Sequence, residues 1–454
     1  MKKRLISMLA CLALTAVSVM GCAEAAAPSA PAAEPAADEA AAPAEEAAPA
    51  AEEAAAPAEG DAITLKWALW DKDTTVYYQP LIDAYQAAHP NVTIEMVDLG
   101  STDYSTVLGT QLSGSGSDFD VVTIKDVPGY VTLVNKGAIE PLDDLIAQDG
   151  IDLSKYSGVT DQVTMDGKLY ELPFRSDIWV LFYNKDVFDK AGVDYPTNDM
   201  TWDEYDALAR KITDTTPGSE VYGAHYHTWR STIQLDGILD GKHTIVDGTY
   251  DFTKPYYDMV LAQQKDGVCM DYATLKTQGL HYSAAFAQGN IGMLNMGSWF
   301  IATLIKGIQD GEYNVQNWGM VKYPHAEGVE PGSTLSTITG LAIPTTAPNK
   351  DAAWDFVKFV STEEGAAVMA GTGNIPAMTN AEIVDIIAQM DGFPADSKEA
   401  LITSHTYLEM PANEKSSEIE TVLNEQHDNI MNEISTVDEA IAAMNEGVQA
   451  ILAQ

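Results

Sequence analysis

Carboxylates are the most numerous ionisable side chains of this chain, and two of them in a cleft could carry out acid–base catalysis. The 454 residues include 67 Asp and Glu against 25 Lys and Arg, which gives a formal net charge of −42. Asp71, Asp126 and Asp177 are the candidates for such a pair. The sequence contains no G-x-S-x-G, no H-E-x-x-H and no phosphate-binding loop. We assign no catalytic residue and keep an exported glycan-active enzyme only as an alternative.

Histidines offer a second kind of chemistry, the binding of a metal ion. His225 and His227 are two apart in the sequence, so in a strand both would face the same side, and His243 follows. A metal site in an exported protein needs three or four converging ligands, and aromatic residues dominate this segment instead. Metal capture is a further alternative, and we expect neither a metal nor another cofactor.

Trp299 ends the segment HYSAAFAQGNIGMLNMGSW, residues 281–299. SAAFAQ is typical of a helix end closed by Gly289, and IGMLNM predicts a buried strand. A turn at Gly297-Ser298 follows, with Ser298 as the expected N-cap of the next helix. Trp299 is therefore predicted at the carboxyl end of a sheet strand, where ligands bind in open α/β sheets. Its flat ring could stack on the C–H face of a sugar, although core packing alone would also explain it.

The elements that position these residues alternate between strand and helix. ITLKWAL, VTIEMVD and FDVVTI have the apolar pattern of strands, and helical stretches separate them, which predicts an α/β fold with parallel sheets. Capping boxes mark two helix starts, at Thr201 with Glu204 and at Thr436 with Glu439. The length of the chain favours two lobes.

The N-terminus is typical of an exported lipoprotein. Residues 1–22 combine three basic residues, a short apolar run and Gly21-Cys22, which predicts a signal peptide and lipidation of Cys22. Residues 23–60 are mostly Ala, Pro and Glu and cannot bury enough surface to fold. We interpret them as a tether that holds the body on the extracellular side of the cell membrane.

The cysteine count and the charge exclude further classes. Cys11 would be removed and Cys22 acylated, so Cys269 remains alone and a large core, not a disulfide, must stabilise the body. A surface this acidic is repelled by nucleic acid and by anionic lipid. We expect neither to be a partner, and we expect a monomer attached to the membrane through its lipid only.

Four segments of the body resemble, in order, the extracellular solute-binding proteins of family 1, the sugar-binding lipoproteins of ABC importers. The most specific has the family pattern at Phe286, Gly289, Met293, Gly297 and Trp299. The other three segments are residues 119–146, 170–212 and 339–377. The resemblance extends over about residues 62–454.

The resemblance implies a two-lobed periplasmic-binding-protein-like fold of type II, with hinge strands joining the lobes and a ligand cleft between them. Lobe 1 would comprise residues 61–175 and 338–378, and lobe 2 residues 176–337 and 379–454. A carbohydrate would bind in the cleft and favour the closed form, which the permease subunits of the importer recognise.

The resemblance also implies the ligand contacts. Trp299 matches a stacking tryptophan of the family. Asp177 matches an acidic contact, whose carboxylate can accept hydrogen bonds from neighbouring hydroxyls. The other implied contacts are Trp70, Asp71, Lys72, Asp126, Arg175, Tyr226, Trp229 and Arg230.

Two departures from the maltose-type members concern the cargo. Glu420 stands near the position of one of their tryptophans, and Ile124 replaces another aromatic residue. With fewer stacking platforms, we expect a sugar or oligosaccharide other than a maltodextrin. A polyol, a glycerol phosphate or another small polar solute in the same fold stays open, because Lys72, Lys125, Arg175 and Arg230 could hold a phosphate.

Overall fold

The computed structural model of the chain describes residues 62–114, 117–156, 158–378 and 380–454. The predicted signal peptide, the lipidated Cys22 and the tether at 23–60 lie outside the described residues. Within the described ranges, no helix has the length and apolar character that a membrane span requires.

The strands follow the apolar runs of the sequence. They are β1 (Ile63–Leu69), β2 (Val92–Asp98), β3 (Val121–Ile124), β4 (Leu172–Asn184), β5 (Tyr222–His225), β6 (Ile291–Gly297), β7 (Trp318–Lys322), β8 (Ser333–Ala342) and β9 (His405–Leu408). The predicted strands ITLKWAL, VTIEMVD, FDVVTI and IGMLNM are all confirmed.

The helices lie between and after these strands. They are α1 (Tyr78–Ala88), α2 (Tyr104–Ser113), α3 (Val127–Asn135), α4 (Asp143–Asp149), α5 (Val159–Gln162), α6 (Lys185–Ala191), α7 (Trp202–Ile212), α8 (Ser231–Gln234), α9 (Lys254–Asp266), α10 (Tyr272–Gln278), α11 (Tyr282–Ala287), α12 (Phe300–Gln309), α13 (Lys350–Ser361), α14 (Glu363–Gly371), α15 (Ala381–Ala388), α16 (Ser416–Met431) and α17 (Val437–Leu452). Both predicted capping boxes are present, at the starts of α7 and α17.

Short 3-10 helices complete the secondary structure. They are Leu153–Tyr156, Leu235–Asp240, Asp251–Thr253 and Lys398–Leu401.

The sheet is mixed, which corrects the prediction of parallel sheets. β1 pairs in parallel with β2 and β3, and β5 with β6. β4, however, runs antiparallel to β6, β7 and β8, and β3 runs antiparallel to β8. The pattern of apolar residues predicts that a segment is a strand, but it does not predict whether that strand runs parallel or antiparallel to its neighbours.

β4 changes partners along its length and so joins two groups of strands. Its first part, through Ile178, pairs with β8, whereas Trp179–Asn184 pairs with β6 and β7. Two clusters of buried apolar side chains flank this strand, and Trp299 packs against both. β4 therefore places residues 175–179 where the two groups of strands meet.

Candidate functional site

A cleft with a volume of about 1990 Å³ opens at the ends of β1 and β3 and against α3, α8 and α16. Eight of the ten predicted ligand contacts line it. They are Trp70, Asp71, Lys72, Asp126, Arg175, Trp229, Arg230 and Trp299. Asp177 and Tyr226 do not line it.

Trp70 forms part of the first wall, at the end of β1. Its ring is only 8 % exposed and packs edge-on against Tyr104, with the ring centroids 4.9 Å apart. The ammonium of Lys125 lies 5.3 Å from its centroid, within the range of a cation–π interaction. Trp70 thus holds Lys125 in place, and only a small part of its own ring is open to a ligand.

Asp71 and Lys72 turn the chain out of β1 at the mouth of the cleft. Asp71 has a φ of 51°, a left-handed conformation that is uncommon for a side-chain-bearing residue. Its carbonyl accepts the N–H groups of Thr74 and Thr75 at 3.1 and 3.0 Å. The Lys72 N–H donates to Asp98 Oδ2 at 2.9 Å. The turn is fixed through the backbone, so both charged side chains stay exposed to the cleft.

Both carboxylate oxygens of Asp126 accept hydrogen bonds from other residues of the protein. One carboxylate oxygen accepts the Gly129 N–H at 2.6 Å and caps α3, and the other accepts the Ser105 hydroxyl at 2.6 Å. Burial raises the pKa of this carboxyl. Asp126 lines the cleft, but two of its acceptor sites serve the start of the helix.

Asp177 differs from the predicted direct contact. Its side chain is 0 % exposed, and its Oδ2 lies 2.9 Å from Arg175 Nε. The Ser298 hydroxyl donates to its Oδ1 at 2.8 Å and accepts the Ile178 N–H at 3.2 Å. Ser298 therefore binds Asp177 and does not cap the next helix, which begins at Phe300. Arg175 and Asp177 are two residues apart in β4 and share a face, but Arg175 lines the cleft whereas Asp177 is enclosed by its contacts with Arg175 and Ser298.

Trp299 stands where the sequence predicts it, directly after β6 and before α12. Its ring folds back over Gly297, where an added Cβ would lie 2.0 Å from the ring. Glycine is required there because any other residue would displace the indole. The ring centroid of Trp299 lies 6.4 Å from that of Trp229.

Trp229 and Tyr226 separate at the end of β5. Trp229 is 39 % exposed, which leaves a flat apolar face in the cleft. Tyr226 is 4 % exposed and packs against Tyr205, with the ring centroids 6.4 Å apart. The prediction placed both in one ligand loop, but the structure puts Tyr226 in the core.

Arg230 extends from the start of α8 to Glu420 on α16 in a bidentate pair. Its Nε donates to Oε1 at 2.9 Å and its Nη2 to Oε2. From the sequence, Glu420 is identified only as the residue near the position of a tryptophan in the maltose-type members, and not as a ligand contact. Glu420, Asn424 and His427 recur at helical spacing and all line the cleft. This spacing was the available signal, but it is equally typical of a solvated helix face.

The three histidines of the metal alternative lie in different surroundings. His225 is fully buried, whereas His227 packs on Trp229 in the cleft. His243 stacks on Phe252, with the ring centroids 4.6 Å apart. In the part of the chain that the structure describes, no three His, Cys, Asp or Glu residues come together as metal ligands.

Residues 71–367 match the model of the family described as bacterial extracellular solute-binding protein. The chain belongs to this family. A sugar transporter of Rhizobium etli, solved in an open conformation, is 54% identical and superposes with a TM-score of 0.73 over 85% of this chain and 99% of its own. The mannitol-binding protein of Pseudomonas aeruginosa is 25% identical over 335 residues, 70% of this chain and 74% of its own.

A more distant neighbour has the same fold. The substrate-binding protein of Listeria monocytogenes in complex with cycloalternan is 22% identical and has a TM-score of 0.73 over 87% of this chain and 100% of its own. The predicted two-lobed, type II fold with hinge strands and an interlobe cleft is confirmed. As a family member, the chain is a solute-binding protein.

Proposed function

We propose that this protein is the receptor of an ABC importer and captures an uncharged sugar, oligosaccharide or polyol in the cleft. The observation that carries the proposal is the group of aromatic rings at one wall. Trp229 lies 6.4 Å from Trp299 and 5.7 Å from Tyr282, measured between ring centroids. Such a group can cover the apolar face of a pyranose or the carbon chain of a polyol.

The charges beside these rings favour a neutral cargo. The guanidinium groups of Arg175 and Arg230 each have a carboxylate partner in the chain, Asp177 and Glu420. A phosphate would have to compete with these carboxylates, so a glycerol phosphate is the less favoured cargo. The mannitol-binding relative supports a neutral cargo, whereas a glycerol-3-phosphate-binding relative of Agrobacterium fabrum supports the phosphate alternative.

Binding without catalysis fits the carboxylates of the cleft. Glycoside hydrolysis needs two carboxylates that are free to act on the substrate. Asp126 caps a helix and Asp177 lies behind the wall. We propose that the cargo is released unchanged to the permease.

The lobes and the membrane anchor belong to the same proposal. The change of partners of β4 at Ile178 supports a crossing near residue 176, as in the division into residues 61–175 and 338–378 against 176–337 and 379–454. We propose that Cys22 carries a lipid, that residues 23–60 tether a monomeric body outside the cell, and that the permease subunits are its partners.

A thermal-shift screen of residues 61–454 tests the proposal. The panel holds mannitol, mannobiose, maltose, further mono- and oligosaccharides, glycerol 3-phosphate, amino acids and divalent metals. A cargo at a hundred times its Kd stabilises the folded form by about 2.7 kcal/mol. A shift with glycerol 3-phosphate or a metal alone would overturn the neutral-sugar assignment.

Trp299→Ala sharpens the same test. We expect it to weaken binding of the selected sugar by about tenfold or more, because the stacking face is lost while the protein stays folded. Tyr195→Ala is the matched control, since Tyr195 is an exposed aromatic residue that does not line the cleft. Unchanged affinity in Trp299→Ala would remove Trp299 from the binding site.

A further inference from the structure

His427 on α16 is a buried ring with one nitrogen that the protein leaves unused. The residue is 2 % exposed and lines the cleft. Its Nδ1 lies 2.9 Å from the Tyr257 hydroxyl oxygen. Its Nε2 has no hydrogen-bond partner among the described residues. A buried polar atom without a partner costs about 1–3 kcal/mol, so its presence at a ligand cleft calls for an explanation.

The imidazole is neutral because of its surroundings. Burial lowers the pKa of His427 to about 3, and the charges of Arg230 on α8 and Lys276 on α10 act in the same direction against the opposing charge of Asp428. Tyr257 contacts the ring from α9 and Tyr272 from α10, with centroids 5.8 and 5.4 Å away. A neutral imidazole carries a single proton, on either Nδ1 or Nε2.

The neighbours of His427 determine which nitrogen carries that proton. The side-chain amide of Gln234 donates to the Leu423 carbonyl at 3.1 Å, and its nearness lowers the pKa of the Tyr257 phenol against the larger effect of burial. The structure gives the Tyr257 hydroxyl hydrogen one acceptor in the described ranges, Nδ1 of His427. Since Nδ1 accepts, the proton of the ring is on Nε2.

Arg230, which also lines the cleft, has a second unused donor. Arg230 is buried, and its Nη1 has no partner in the described part of the chain, although Nε and Nη2 both bind Glu420. Both unused groups are N–H donors. They suit a ligand that offers oxygen lone pairs, such as a hydroxyl or ring oxygen of a sugar, and they would leave a ligand ammonium without an acceptor.

We propose that His427, held as the Nε2–H tautomer, is a hydrogen-bond donor to the cargo, and that Tyr257 is the residue that positions this proton. The proposal rests on the proposed function for the identity of the cargo, since it adds a specificity-determining contact to the same cleft. The tautomer itself exists without any cargo.

Nuclear magnetic resonance of the ligand-free body, labelled with 15N at histidine, tests the tautomer. His427→Asn identifies the signals of His427 by their loss. We expect long-range proton–nitrogen correlations to show a protonated Nε2 and an unprotonated Nδ1 at pH 7, with the ring still neutral at pH 5. A protonated Nδ1, or an imidazolium at pH 7, would overturn the proposal without reference to any sugar.

Tyr257→Phe tests the positioning role by the same spectra. Without the hydroxyl, both tautomers of His427 should become populated, whereas the ring should stay neutral because it stays buried. Tyr205→Phe is the matched control, since Tyr205 is another buried tyrosine and its ring packs against Trp202 and Tyr226 instead of His427. A single Nε2–H tautomer in Tyr257→Phe would refute the role of Tyr257.

D-Mannitol and mannobiose then test the contact. A probe that binds should shift the Nε2 signal of His427 and leave that of His225, which is equally buried but does not line the cleft. His427→Gln should weaken its binding by about tenfold. Equal affinity of wild type and His427→Gln would overturn the donor assignment. If neither probe binds while the tautomer is as expected, the choice of cargo and the contact to it are overturned, and the Nε2–H tautomer alone stands.

Discussion

Two arginine–carboxylate pairs adjoin the cleft, and they differ in where the carboxylate lies. Arg175 and Asp177 are neighbours on β4, and Asp177 is fully enclosed behind the wall. Arg230 and Glu420 come from α8 and α16, and Glu420 keeps 26% of its side chain accessible at the cleft. The first pair is part of the framework that carries Trp299, and the second is part of the surface that meets the cargo.

The two carboxylates have different roles in this ligand-binding protein. Asp177 accepts a hydrogen bond from the Ser298 hydroxyl and so fixes the turn before Trp299. Glu420 accepts hydrogen bonds from Arg230 and Asn424, and it lies on a helix face that a ligand can reach. Asp177, which resembles a ligand contact in the sequence, thus supports the binding site from behind. Glu420, which has no such resemblance, is the carboxylate exposed to the cleft.

Asp177→Ala gives the largest expected effect. The change leaves the buried Arg175 guanidinium without its counter-ion, and breaking a buried pair in this way costs about 3–5 kcal/mol. Urea unfolding measures the loss. Asp73→Ala is the control, because Asp73 is an exposed carboxylate at the same cleft. A loss no larger than in Asp73→Ala would mean that Arg175 and Asp177 do not depend on each other.

The second prediction concerns a third carboxyl beside the Arg230 pair. Burial and the charge of Glu420 raise the pKa of Glu409 from 4.5 to about 7, against the effect of Arg230. The folded protein therefore holds this proton to higher pH than the unfolded chain. The contribution to stability is fully present below pH 4.5 and is lost as the pH rises through about 7.

Glu409→Gln should remove that pH dependence. We expect the wild type to lose roughly 2–3 kcal/mol of stability through this group between pH 5 and pH 8, and the variant to retain it. Urea midpoints at the two pH values measure the difference, with Glu327→Gln in an exposed loop as the control. An equal slope in wild type and Glu409→Gln would contradict the raised pKa of Glu409.

Ser298→Ala tests whether the enclosed pair positions Trp299. The variant loses the hydrogen bond to Asp177 and the acceptor of the Ile178 N–H, which should cost about 1.5–3 kcal/mol of stability. Tryptophan fluorescence should also change, because the turn that carries Trp299 loosens. Ser283→Ala, at a cleft hydroxyl on α11, should leave the fluorescence as it is. No change in Ser298→Ala would uncouple Trp299 from Asp177.

The sequence predicted the framework better than the surface. Gly297 and Trp299 lie on a strand end and a turn, where local chemistry restricts the residue types, and both stand as predicted. Asp177 shares the face of Arg175 on β4 but is fully enclosed, because packing around a side chain decides its depth and strand alternation gives only its face. Glu420 and His427 were missed because a polar stripe on α16 has the same spacing whether it meets water or a ligand, and only the packing of α16 across the cleft decides between them.

Asn424→Ala has the smallest expected effect and tests the surface side alone. Its amide donates to Glu420 Oε1 at 3.2 Å, which the bidentate contact of Arg230 already holds. We expect about 0.5 kcal/mol or less of stability to be lost, because a partly exposed neutral donor is replaced by water. If α16 contacts the cargo, however, the affinity for the sugar selected by thermal shift should fall several-fold in Asn424→Ala. The exposed Asn432→Ala beyond the end of α16 should change neither quantity. Wild-type affinity in Asn424→Ala would confine the contacts of α16 to Glu420 and His427. A large loss of stability would instead make Asn424 part of the framework, and the contrast between the two arginine pairs would then disappear.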